Sequence, residues 1–140
     1  MKAERRIVLC FAFAGDRLGG SHISLKGLLD ELPKNLYRIV LVLEIPDGRI
    51  ADYFSAYEQI RDPCALEKPF EVGRSFGIGS ALRTVPRAIG RAKLLKDLQV
   101  DIVHTNDGRT HASWALAAKL SGARMVWHHR GDPGARGTGM

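Results

Sequence analysis

Apolar residues along this chain follow two alternating rhythms. Arg6–Ala14 (RIVLCFAFA) and Tyr37–Ile45 (YRIVLVLEI) are near-continuous apolar runs, which predicts strands buried on both faces. Between them, after GDRLGGS, Leu25, Leu28, Leu29 and Leu32 recur at helical spacing up to Pro33. Pro46-Asp47-Gly48 stops the second run. A short helix is predicted around Ile50–Arg61, and PFEVG (69–73) as a third, weak strand. Ser80–Gln99 has helical spacing, with Pro86 as a point where it could kink. DIVHT (101–105) then predicts a strand, THASWALAAKLSG (110–122) a helix stopped by Gly122, and ARMVWHH (123–129) a last strand.

Strand, helix, strand, helix is the βαβ pattern, in which parallel neighbours need crossover connections. The expected fold is therefore α/β and Rossmann-like: a mainly parallel sheet of about five strands with helices on both faces. One domain over residues 1–132 is expected, followed by a flexible Gly-rich tail over 133–140. At 45% hydrophobic and 26% charged, the composition is that of a globular protein, and no apolar run reaches the length of a membrane span. The charged start followed by Ile7–Ala14 imitates a secretion signal. That stretch is short and leads into a Gly-rich turn, so it reads as the first strand.

Cys10 and Cys64 are too few and too far apart for a disulfide framework or a Cys-x-x-Cys metal site, which favours a cytoplasmic setting. A net charge of +6 invites an anionic partner: a phosphorylated ligand, an anionic lipid surface or nucleic acid. The helix from Ser80 carries Arg83, Arg87, Arg91, Lys93 and Lys96 among apolar residues. Such a helix can lie on anionic lipid, although a solvated outer face is the commoner meaning of this pattern. Nucleic acid is disfavoured, because no aromatic residues are interleaved with the cations.

In an open parallel sheet, ligands bind at the carboxyl ends of the strands. Three polar clusters fall there: GDRLGGSH, HTNDGRTH and HHRGD. Gly19 and Gly20, with Ser21 as a candidate N-cap, allow close backbone approach and aim free N–H groups at an anion; a tight turn that merely needs glycine is the alternative. The spacing is neither GxGxxG nor a P-loop, so Glu44 at the end of the second strand is a poor ribose-binding acid. His104, Asn106 and Asp107 are candidate ligand contacts. For His104 the alternative is a core histidine, and for the other two a helix cap; His111 is expected at the surface. His128 and His129 point to opposite faces of their strand, and Arg130 offers a planar fork for phosphate or carboxylate, unless Asp132 pairs with it. The histidines lack compact ligand spacing, so no metal site is expected, and no cofactor is called for.

Three segments taken together, the Gly19-Gly20 pair opening the first helix, LQVDIVHTND before an Ala-rich helix, and ARMVWHHRGD closing the last strand, resemble the amino-terminal domain of GT-B glycosyltransferases. The likeness is to the retaining, subfamily 4-like group and spans Arg6 to about Asp132. It implies a domain that supplies the acceptor side of a cleft, with Gly19 and Gly20 near the diphosphate of a nucleotide-sugar donor. His128 and Arg130 match a His-x-Arg pattern of some members; His129 departs from the apolar residue of many relatives. The carboxy-terminal domain of that family, with its E-x7-E motif, has no counterpart within the 140 residues. The resemblance thus implies a truncated or split enzyme, inactive alone and completed by a carboxy-terminal half. The acceptor would be a sugar, a lipid or another group, reached in the cytoplasm or at the inner face of a membrane. The alternative is a stand-alone Rossmann-like module that binds a nucleotide or another anion without chemistry.

Overall fold

The computed structural model describes residues 4–65 and 78–128, with side chains except at 78–83. Five strands, β1 (Ile7–Phe13), β2 (Tyr37–Leu43), β3 (Glu58–Arg61), β4 (Ile102–Thr105) and β5 (Arg124–Trp127), form one sheet in the order β3-β2-β1-β4-β5. Every neighbouring pair is parallel. The helices are α1 (Gly20–Glu31), α2 (Arg49–Tyr53), α3 (Ile78–Asp97) and α4 (Gly108–Ser121). The chain turns back at α3, so this is a Rossmann-like doubly wound sheet whose switch point lies between β1 and β4.

Strand alternation divides the core into two layers. Leu9, Phe11 and Phe13 of β1 and Ile39, Leu41 and Leu43 of β2 pack with Leu25 and Leu29 of α1 and with Ile50, Ala51 and Phe54. Val8, Cys10, Ala12, Val40 and Val42 point the other way, onto Ala92 and Leu95 of α3 and Trp114, Ala117 and Ala118 of α4. Cys10 is a core residue; burial pushes its thiol up to about 12.

The expected helix over Ile50–Arg61 is half right. α2 ends at Tyr53, and Glu58–Arg61 is instead the edge strand β3, paired with Val40–Leu43. Only Ile50, Ala51 and Phe54 reach the core, too few to hold a longer helix against the sheet. The Gln59 side-chain amide then donates to Ala51 O and Phe54 O, both at 2.8 Å, which satisfies carbonyls at the end of α2. The expected strand at 69–73 lies outside the described residues, as do the tail and the side chain of Arg83.

α3 runs through Pro86. One of its cations is not solvated: the Arg91 and Asp62 side chains are only 12% and 5% exposed and meet at 2.7 Å. Arg91 also donates to Ser113 O at 3.0 Å and lies over the Trp114 ring at 4.9 Å. It therefore ties the end of β3 to α3 and α4, and it is absent from the outer charged face on which the sequence places it.

Candidate functional site at the carboxyl edge of the sheet

Two loops at the switch point are fixed by carboxylates before they reach any ligand. Gly15 has φ +69°, a conformation that glycine adopts without strain. Its N–H donates to Glu44 Oε2 at 2.5 Å, so Glu44 does face the glycine loop, but as an anchor for its backbone. Asp16 accepts from Ile50 N at 3.0 Å, and backbone N–H groups of Arg49 and Ile50 hold its carboxyl below the ordinary value. A Cβ on Gly48 would meet the Asp16 carboxylate, so glycine at this position lets the contact form as it stands.

Gly19 and Gly20 differ from those two glycines. Gly19 has φ −145°, neither residue has positive φ, and no described atom lies within 4 Å of where a Cβ would sit on either. The tight-turn explanation therefore fails for this pair: neither conformation nor packing demands glycine. The His22 and Ile23 N–H groups close onto Gly19 O at 3.0 and 3.3 Å, while those of Gly20 and Ser21 have no partner among the described residues. No side-chain oxygen caps the helix; Ser21 lies one position inside α1, after Gly19 and Gly20.

His22 lies beside this opening. Its Nδ1 accepts from Gly19 N at 3.1 Å, and its ring stacks on Phe13 with centroids 5.5 Å apart. Burial pushes its pKa below the ordinary histidine value, partly opposed by the charge of Asp107.

The second wall comes from β4 and β5. His104 pairs in register with Phe11, and their rings lie 5.1 Å apart on the α1 side of the sheet. His128, just beyond β5, donates its N–H to Thr105 O at 2.9 Å and brings its exposed ring within 6.2 Å of His104. Alternation thus places His104 and His128 on one wall. His111 belongs to the other side: it is half-buried, stacked on Trp127 at 4.5 Å, with Nδ1 3.3 Å from Thr105 Oγ1. It is a packing residue rather than the surface residue expected. His129, Arg130 and Asp132 lie outside the described residues.

Asp107 is the N-cap of α4, accepting from Thr110 N at 2.8 Å and Thr110 Oγ1 at 2.6 Å. Both of its oxygens are thereby engaged in the cap. Asn106 differs: its Oδ1 is buried and without a hydrogen-bond partner among the described residues. Arg109 was not singled out from sequence. Its guanidinium comes within 3.6 Å of the position a Cβ on Gly15 would take, which joins the α4 start to the first loop. A signal for it existed, because a cation in the first turn of a helix opposes the helix dipole and needs another reason to be there. Asp16 and His22 were likewise passed over; a histidine three residues after the N-cap glycine was the available sign.

The edge thus carries Arg109, His22, His104, His128 and the N-termini of α1 and α4, beside the carboxylates of Asp16, Glu44 and Asp107 that fix its loops and cap. The N–H groups at the α1 start that lack a partner among the described residues are the part of this edge that favours an anion. Among the described residues no group of three or more His, Cys, Asp or Glu is placed to hold a metal ion.

The fold and this edge define a Rossmann-like α/β domain. Among solved structures it is similar to MurG of Acinetobacter baumannii, at 14% identity and TM-score 0.56, over 88% of this chain and 34% of that one. It is also similar to a glycosyltransferase from Rickettsia africae ESF-5, at 17% identity and TM-score 0.55, over 89% of this chain and 30% of the other. A UDP-N-acetylglucosamine 2-epimerase shares the fold at 17% identity and TM-score 0.55, over 88% of this chain and 33% of that one. The chain spans about a third of the length of each. No family model and no curated protein sequence matches it.

Proposed function

We propose that the chain is the amino-terminal, acceptor-side domain of a retaining, subfamily 4-like GT-B glycosyltransferase, active only when a donor-binding domain completes the cleft. The observation that carries this reading is the Gly19-Gly20 pair, with no described atom within 4 Å of either Cβ position and with the Gly20 and Ser21 N–H groups lacking a partner among the described residues. A phosphate seated there meets backbone donors at a helix N-terminus and no side-chain obstruction. The fold likeness to a glycosyltransferase and to an enzyme named for a UDP-sugar supports a nucleotide-sugar as the donor.

In the completed enzyme, Gly19, Gly20 and Ser21 help hold the leaving diphosphate. His104, Asn106 and Asp107 border the sugar and acceptor, with Asp107 acting through the position it gives the α4 start. His128 or His129 and Arg130 orient the acceptor hydroxyl or stabilise developing negative charge. Retention of configuration here calls for no carboxylate nucleophile from this domain, and none is nominated. One wall alone cannot exclude water or hold both substrates in register, so the isolated chain transfers no sugar. Its acceptor is a sugar, a lipid or another group, and its place is the cytoplasm or the inner face of a membrane.

Calorimetric titration with UDP and with GDP tests this, on the chain alone and mixed with a separately expressed carboxy-terminal half. Binding only in the mixture, abolished by Gly20→Val, is the expected result. A Cβ at Gly20 meets no described atom within 4 Å, so Gly20→Val should fold, which a parent-like thermal melt checks, and the loss then reports on the ligand. Tight binding by the chain alone would replace this reading with a self-sufficient nucleotide module.

A further inference from the structure

The turn that opens α1 is closed on itself by one side chain. His22 donates its backbone N–H to Gly19 O at 3.0 Å, and its ring Nδ1 accepts the N–H of Gly19 at 3.1 Å. This is a capping box with histidine where glutamate or glutamine is usual. The difference matters, because a backbone N–H can only donate. Nδ1 must therefore carry no proton, and the ring is the neutral tautomer protonated on Nε2. Of the side chains that could close such a box, histidine is the one that stops accepting in mild acid.

The ring is also held from behind. It is half-buried and stacks on Phe13, which is itself buried and packed on Phe54 at 5.4 Å. Ser21 Oγ lies 3.5 Å from Nδ1. On α4 the charged neighbour is Asp107, whose oxygens are held by Thr110. Lys26, one turn along α1, is paired with Asp30 at 2.8 Å, and His104 rests on Phe11, two residues before Phe13 on β1. Burial favours the neutral ring and outweighs the pull of Asp107 toward the charged one.

The box sets the direction of the donors that follow it. Gly19 N is held by the ring and Gly19 O by the His22 and Ile23 N–H groups, which fixes Gly19 at φ −145° and ψ −179°. The Gly20 and Ser21 N–H groups leave from that geometry. Two consecutive glycines have no side chains to stiffen the turn, so the ring supplies the constraint.

We propose that His22 is the positioning residue of the Gly19-Gly20 opening: its neutral ring holds the turn in the form that presents the Gly20 and Ser21 N–H groups to a diphosphate, and protonation of the ring releases that turn. This rests on the reading of the opening as the donor diphosphate site and adds a dependence on pH to it. A proton on Nδ1 sets donor against donor at Gly19, so the bond is lost, and that proton points into the turn rather than toward the ligand. Binding therefore follows the neutral fraction of His22 and weakens in mild acid, although the ligand is an anion.

The test is calorimetry on the chain mixed with a separately expressed carboxy-terminal half, from about pH 7.5 to about pH 5. The probes are UDP-N-acetylglucosamine and GDP-mannose. Their diphosphates are esterified at both ends and keep their charge, whereas the terminal phosphate of UDP or GDP titrates near about pH 6. Affinity of the parent should fall about threefold or more across the range. His22→Phe keeps a ring against Phe13 without an acceptor; it should bind about fivefold more weakly at neutral pH and show no pH dependence. In His22→Asn, Oδ1 stands as many bonds from the backbone as Nδ1 and does not titrate. That variant should stay within about twofold of the parent at neutral pH and hold its affinity in acid.

A second measurement needs no nucleotide. In the chain alone, hydrogen-exchange protection of the Gly19 amide should be lost as His22 titrates, and retained in His22→Asn. Affinity that rises in acid overturns the proposal and makes His22 a charge-bearing contact. So does a Gly19 amide indifferent to the titration of His22, or a His22→Asn variant no better than His22→Phe. Failure of both probes to bind at every pH overturns the transferase reading and this role together. Binding that ignores both pH and His22 overturns the positioning role alone.

Discussion

The two halves of the sheet are made of similar residues and treated differently. Across β1 and β2, Val8–Phe13 and Ile39–Leu43 are buried, because α1 and α2 cover one face and α3 and α4 the other. Across β4 the α4 side is packed, with Val103 and Thr105 buried, while Ile102 and His104 are half-buried; on the edge strand β5 Val126 and Trp127 are 44% and 45% exposed. No described helix covers that second face. A polar ring on the covered half would lose its hydration with little in return. On the open half His104 rests on Phe11 and His128 lies against His104, and neither ring is fully buried. The histidines therefore stand where packing by the described helices stops.

The sharpest way to break this contrast is in the packed half. Arg91→Met leaves Asp62 as a buried charge without its partner and should cost about 4 kcal/mol in urea denaturation. Leu41→Ala, at a fully buried position, should cost about 3 kcal/mol by the same measurement. At the boundary, Asp107→Ala removes the α4 cap and should cost about 1 kcal/mol, read from the shift in denaturation midpoint. On the open half, Val126→Ala and His128→Ala should each stay within about 0.5 kcal/mol of the parent, with the same slope. A loss from either as large as that from Leu41→Ala would mean that this face is covered after all.

The smallest effect concerns pH. His22 has its pKa lowered by burial, so the unfolded chain takes up a proton at a pH where the folded chain does not. Stability is then full above the ordinary histidine value of about 6.5 and falls as pH drops through it toward the lower folded value. His22→Gln should flatten that part of the profile in thermal melts from neutral to mildly acid pH.

Much of this was legible in the chain. Continuous apolar runs marked β1 and β2 because both of their faces are buried, and Gly122 at φ 81° and Pro33 marked where helices end. His104 and His128 were legible as strand-end residues through their position alone. Failures occurred where the local pattern is weak: Glu58–Arg61 contains one apolar residue, Ile60, and takes its strand form from pairing with β2. The expected solvation of Arg91 failed because Asp62, its partner, stands 29 residues away and comes near only when the sheet assembles. His111 and His104 look alike in sequence, six and one residues from well-defined boundaries, and only packing assigns them to opposite faces.

The sequence by itself determined the alternation of elements, the parallel sheet and the edge at which polar loops gather, because periodicity and chain connectivity are local properties. Tertiary structure decided which side chains share a wall and which glycines are there for a reason other than the backbone. It also turned Arg91 inward onto Asp62, since these are distances between residues that the chain keeps far apart.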